Sequence, residues 1–178
     1  MKLFKYLVLM AIVGLTSLFA TQYSVDVKAS MVTFKIRHAV VAKVEGKFNE
    51  FSGSYNYDEN SSTFSSFIGE VSTASVNTDD EYRDKHLKEK VFEVEKYPIM
   101  KLELVKQDGN SFETDLTIKD TTKRINMTIS LVAGVKNMFI LSGKINRKDF
   151  GLTFSDTSKI GDMSVGDEVE INILFGAM

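Results

Sequence analysis

The stretch Asp79-Asp80-Glu81-Tyr82-Arg83-Asp84-Lys85-His86-Leu87-Lys88-Glu89-Lys90-Val91-Phe92-Glu93-Val94-Glu95-Lys96-Tyr97-Pro98 is where the apolar residues of this chain leave a two-residue rhythm for a helical one. Tyr82, His86 and Leu87 fall at i, i+4 and i+5, behind two aspartates able to cap and within a run of good helix formers, which predicts a short amphipathic helix. Val91 and Phe92 begin a further turn. Pro98, the one proline of the chain, draws Tyr97 towards an extended conformation and ends the interlude. A single helix inside a β chain has something to cover. The expected inner face is Tyr82, His86, Leu87 and Phe92, with Lys85, Lys88 and Glu89 in water.

On both sides of this stretch the period is two. Val32, Phe34, Ile36 and His38 share one face of a strand and Thr33, Lys35 and Arg37 the other, as in a sheet wetted on one side. Phe51, Gly53, Tyr55 and Tyr57 continue after an expected bend at Gly46 to Asn49, and a long run follows from Phe64 to Val76. Beyond Pro98, Met100, Leu102 and Leu104 alternate with Lys101 and Glu103 as far as Asp108-Gly109-Asn110, a hairpin signal. Phe112, Thr114, Leu116 and Ile118 then oppose Glu113, Asp115 and Lys119. A polar turn over Lys119 to Arg124 leads to Ile125, Met127, Ile129 and Leu131, and the pattern returns from Met138 to Arg147 and from Glu168 to Phe175. The reading is all-β, with about eight strands joined mostly by short turns and hence antiparallel. Such a sheet buries its apolar face by closing into a barrel, which also removes its edges, or by folding into a sandwich.

With 178 residues, 43% of them hydrophobic and 26% charged, the chain suits one domain with a sizeable core. The net charge of -2 is of mixed sign along the chain and leaves no basic stripe for nucleic acid. Lys2 and Lys5, the apolar run Leu7 to Phe19 and the small Ala20 form the pattern of a cleavable export signal over residues 1–20, leaving 21–178 as the domain. Cysteine is absent, so disulfides, thiolate chemistry and lipidation at a leading cysteine are excluded. The expected protein is not membrane-spanning, and a homodimer is compatible with its sequence.

Catalysis finds little support. The chain has two histidines, no nucleophile elbow, no phosphate-cradling glycine loop and no pair of metal ligands at helical spacing. His86 with Asp84 and Arg83 reads either as an acid/base cluster or as a polar helix face. His38, on an apolar strand face, reads as a core histidine or as a contact for a polar head group. Arg147 and Asp149, which end a strand before a long connection to Val165, read as a polar gate at a barrel mouth or as a structural ion pair. The inward Phe34, Ile36, Phe51, Tyr55, Phe67, Met100, Leu102, Phe112, Leu116, Met127, Ile129 and Phe150 read as core or as the lining of a ligand cavity, which methionines suit. No catalytic residue, metal or resident cofactor is expected.

Tyr23-x-Val25-Asp26 with Ser30-x-Val32-x-Phe34 and His38, Gly46-x-Phe48-x-x-Phe51-x-Gly53, Arg83-Asp84-x-His86-Leu87, Phe92, Tyr97-Pro98 and Arg147-x-Asp149-Phe150-Gly151 follow one another in an order that resembles the YceI-like family. The resemblance implies a lipocalin-like barrel, exported to the bacterial periplasm, that holds a polyisoprenoid or similar long-chain amphiphile, fatty-acid-like ligands included. Ala29 stands where the family commonly has a histidine, so head-group recognition is expected to be weaker or different here. Two other classes compete. One is a lipid-modifying enzyme using His86 and Asp84, or an accessory factor for quinone-linked respiration or stress protection. The other is an outer-membrane barrel, against which the charged strand face of Lys35, Arg37, Lys101, Glu103, Glu113, Asp115 and Lys119 argues.

Overall fold

The computed structural model describes residues 21–38, 42–154 and 165–177. Residues 1–20, where an export signal is expected, and most of the connection before Val165 lie outside these residues. Among the described residues eleven strands form one curled antiparallel sheet: β1 (Thr21–Ser24), β2 (Met31–His38), β3 (Ala42–Phe48), β4 (Phe51–Asp58), β5 (Thr63–Ser72), β6 (Val76–Asn77), β7 (Ile99–Asp108), β8 (Ser111–Ile118), β9 (Thr121–Leu131), β10 (Met138–Asn146) and β11 (Val165–Gly176). Their order is β1-β4-β5-β7-β8-β9-β10-β11-β2-β3-β6.

The expected count of about eight is corrected by three interruptions, each with a local cause. Between β1 and β2 the Val25–Ser30 segment turns, although Val25 still bridges Ala177 at the end of β11. The β3 strand runs into β4 across Asn49 and Glu50, whose backbones bond to Ser75 and Ser72. The 3-10 turn Thr73–Ser75 divides β5 from β6, its Thr73 and Ser75 hydroxyls donating to the carbonyls of Tyr97 and Ser72. Rejoined across these bends, the strands make eight runs, and β3 passing into β4 carries the sheet round on itself. Gly46 lies inside β3, and the bend expected over Gly46 to Asn49 falls at the far end of that range, at Asn49-Glu50. The turn expected over Lys119 to Arg124 contracts to Lys119-Asp120, with Lys119 left-handed at φ 56, and β9 starts at Thr121.

The apolar alternation faces inward. Outside, Lys35 pairs with Glu45, Arg124 with Asp115 and Glu113, and Lys144 with Glu168, where an outer-membrane barrel carries its apolar band. The Arg124 guanidinium holds the Asp115 carboxyl below the usual carboxylate range. Among the described residues no helix is long and apolar enough to cross a membrane.

Inside, one half of the barrel is filled with side chains. Tyr55 and Tyr57 (β4), Phe64 and Phe67 (β5), Phe112 (β8), Phe139 (β10) and Phe175 (β11) form a continuous plug. Its closest ring centroids are 4.7 Å for Tyr57–Phe64 and 4.9 Å for Tyr57–Phe139, Phe64–Phe139 and Phe67–Phe175. The edge-to-face angles of most of these pairs are those that aromatic quadrupoles favour. Within the plug the Tyr55 hydroxyl is buried with no hydrogen-bond partner among the described residues. Burial, and to a lesser degree the neighbouring phenols of Tyr23 and Tyr57, pushes its pKa up from 10.0 to about 12. Because the folded value lies above the unfolded one, the neutral phenol's contribution is complete below about pH 10 and is lost as pH rises towards about 12. Tyr55→Phe is expected to abolish this alkaline sensitivity and, by deleting an unpaired buried hydroxyl, to stabilise the fold at neutral pH by about 1 kcal/mol. Denaturant melts at neutral pH and above pH ~10 check both effects; a loss of neutral stability would mean that the hydroxyl has a partner.

Candidate ligand cavity

The other half of the barrel is hollow. Helix α1 (Glu81–His86) starts as its sequence predicts, with Asp80 extended at φ -147 and its carboxylate accepting from the Arg83 amide at 2.9 Å. It passes without a break into a π-helical segment, Leu87–Phe92, closed by left-handed Glu93 at φ 53. Leu87, Val91 and Phe92 are buried beneath it, and the Phe92 ring lies 5.9 Å from that of Phe48 on β3. Tyr82 is a correction: it is 86% exposed. A residue five positions before Leu87 stands roughly 140° away around an α-helix, so both could not share the inner face. His86 is half-buried beside the lid, its ring stacked on that of Phe154 at 6.4 Å and 14°. Of the three residues expected in water, Lys85 and Glu89 are exposed and Lys88 is half-buried.

Beneath this lid lies a cavity of about 190 Å³. Its wall takes Phe34 and Ile36 from β2, Phe51 from β4, Phe67 from β5, Met100 and Leu102 from β7, and Leu116 and Ile118 from β8. Val44 and Phe48 (β3), Ile125 and Met127 (β9), Ile145 (β10) and Val169, Ile171, Ile173 and Phe175 (β11) also line it. Leu87, Val91, Phe92, Leu152 and Phe154 close the mouth. Of the lining proposed from sequence, eight residues therefore border the cavity: Phe34, Ile36, Phe51, Phe67, Met100, Leu102, Leu116 and Met127. Tyr55 and Phe112 belong instead to the aromatic plug, and Ile129 and Phe150 are buried core residues outside the lining.

The polar candidates separate as sharply. Arg83 borders the cavity and solvent at once. Its Nε donates to Thr78 Oγ1 at 2.7 Å and its Nη2 to the Thr78 carbonyl at 2.8 Å, while Nη1 stands 3.8 Å from Asp80. Asp84 is occupied by the same turn, accepting from the Thr78 amide and hydroxyl. No hydrogen bond joins it to His86 among the described residues, which leaves the acid/base pair unassembled. Asp149 is exposed in the 3-10 turn Arg147–Phe150. The backbone of His38 ends β2, and its side chain lies outside what the structure describes.

Arg147 is 1% exposed. Its guanidinium donates to the carbonyls of Gly166 at 2.9 Å, Leu152 at 2.7 Å and Val165 at 3.1 Å, reaches Asp167 at 3.2 Å, and lies 5.1 Å from the Phe154 ring centroid. It ties the chain after β10 to the start of β11, so its geometry is that of a strut bordering the cavity, with its donors committed to the protein. Sequence alternation contained the signal: Arg147 continues the inward series Phe139, Leu141, Gly143, Ile145.

The fold and site together define a curled antiparallel barrel with a half-length apolar chamber under a helical lid. A YceI-like domain model matches residues 23–177, and the chain belongs to that family. It is 28% identical over 159 residues to the UPF0312 protein SA2479 of Staphylococcus aureus, covering 84% of this chain and 93% of that one. Among solved structures it is similar to Burkholderia cenocepacia BcnA, with a TM-score of 0.74 at 22% identity over 86% of this chain and 99% of that one. A polyisoprenoid binding domain from Saccharophagus degradans aligns with a TM-score of 0.63 at 14% identity over 88% and 98% of the two chains. These two likenesses are likenesses of fold.

Proposed function

We propose that this protein binds a long-chain amphiphile, of polyisoprenoid or fatty-acid type, and carries or sequesters it in the periplasm without chemically altering it. The observation that carries the reading is the cavity wall, made mostly of Val, Ile, Leu, Phe and Met from nine strands and the lid, with Arg83 as the cation at its mouth. At about 190 Å³ the space is smaller than the about 300–1,000 Å³ of ordinary small-molecule pockets, so a bulky ligand does not fit the chamber as it stands. Each buried methylene contributes ~0.8 kcal/mol against an association cost of about 4–15 kcal/mol, so tail length governs affinity. A head group meets few inward polar atoms and modulates affinity modestly. The structural neighbour described as a polyisoprenoid binding domain and the export-signal pattern of residues 1–20 support the cargo class and the compartment respectively.

Native mass spectrometry of the purified protein, followed by organic extraction, is expected to show a lipid adduct. A bare protein mass that also takes up no added long-chain alcohol or acid would overturn the proposal. Lipid turnover lost in His86→Ala would replace it with the enzymatic reading.

A further inference from the structure

We infer that Met127, folded against Gly143, sets the longest chain the cavity accepts; this rests on the amphiphile-binding reading above. On β10 the inward positions are Phe139, Leu141, Gly143 and Ile145, and only Gly143 leaves the wall bare. It pairs with Met127 of β9 on one side and Ile171 of β11 on the other. The Met127 side chain fills this bay. A Cβ added at Gly143 would stand 2.8 Å from Met127 Cγ and 3.1 Å from Cε, so the thioether lies along the wall and not across the lumen.

Met127 is also the last inward residue of β9 to border the cavity. Ile125 above it lines the chamber, whereas Ile129 below it is solid core. Its β8 partner is Phe112, fully buried in the plug. Phe67 and Phe175 line the chamber and belong to the plug at once. The floor therefore lies at the level of Met127, and its height depends on which way that flexible side chain lies. A methyl group at position 143 collides with Cγ, near the root of the side chain, and forces a different rotamer. Phe112 blocks the way back, so the side chain turns into the lumen.

The test titrates saturated primary alcohols, lengthened two methylenes at a time, into the full folded chain and its variants, with a thermal melt of each as a folding control. The unsubstituted protein is expected to bind roughly tenfold more tightly per added pair of methylenes until a limiting length, beyond which affinity is flat. Met127→Ala moves that limit to longer chains, and Gly143→Ala moves it to shorter ones. Should Gly143→Ala fail to fold, Met127→Ala decides alone. A limit that stays put in the folded variants, or a uniform loss at every length, overturns the inference while leaving amphiphile binding intact. Absence of binding to any alcohol by the unsubstituted protein overturns the amphiphile reading, and the floor with it.

Discussion

Arg147→Met is expected to lower the thermal midpoint by roughly 10 °C. The substitution keeps most of the side-chain volume but deletes every donor, leaving the carbonyls of Leu152, Val165 and Gly166 without the partner that holds them. Breaking a buried charged network costs about 3–5 kcal/mol, and each kcal/mol shifts the midpoint of a domain this size by about 2–4 °C. Arg147→Lys is expected to recover only part of the loss, because one ammonium cannot span a fork of carbonyls facing different ways. Asp149→Ala, on the exposed side of the same turn, stays within about 0.5 kcal/mol. Calorimetry of the three variants decides the assignment. A native midpoint in Arg147→Met together with lost lipid uptake would return Arg147 to the role of a head-group contact.

Phe112→Ala carries the second large effect, about 3–5 kcal/mol of lost stability. Phe112 is 0% exposed and packs edge-on against Phe64 and Phe67, at 5.5 and 6.0 Å. Phe112→Arg is expected to prevent folding, since the aromatic plug around it holds no carboxylate to pair with a charge. Met127→Arg differs in kind. Its side chain borders the chamber, so part of its charge can reach towards the lumen, and the expected result is a folded or marginal protein emptied of lipid. Soluble expression, circular dichroism and lipid content of the two arginine variants separate plug from wall. Equal behaviour of both would mean that the boundary between them is misplaced.

The sequence displayed the faces of this barrel and concealed its depth. Alternation along Phe112-Thr114-Leu116-Ile118 marks all four as inward, yet the first pair belongs to the solid half and the second to the hollow half. That distinction depends on register: Phe112 lies beside Met127 and Leu116 beside Lys123 only because the Lys119-Asp120 turn is two residues long. Family resemblance named the right motifs without dividing their labour. Arg83 reaches the mouth, His86 stacks beside it, and Arg147 is a strut. The lid misled for a geometric reason, since Tyr82 and Leu87 stand five positions apart, a spacing that an α-helix spreads by roughly 140° around its axis. Tyr55 and Ile129, inward but not lining, were indistinguishable from Phe51 and Met127 by residue type alone.

The seam where the sheet comes round on itself also governs the order in which the molecule can assemble. From β7 to β11 each strand pairs with its immediate successor through a short connection, apart from the longer one before Val165, so this meander is mostly local and its contacts cost little loop-closure entropy. The pairing of β11 with β2 joins residues far apart in the chain, among them Thr33 and Asn172, separated by 139 positions. Contacts of such span form late and slow the overall rate. Until they form, Val169-Glu170-Ile171-Asn172-Ile173-Leu174 is an open strand edge of the kind that recruits a second chain. The polar Glu170 and Asn172 interrupt an otherwise continuous aliphatic ribbon on that edge, at the stage when the nascent protein is most exposed to its neighbours.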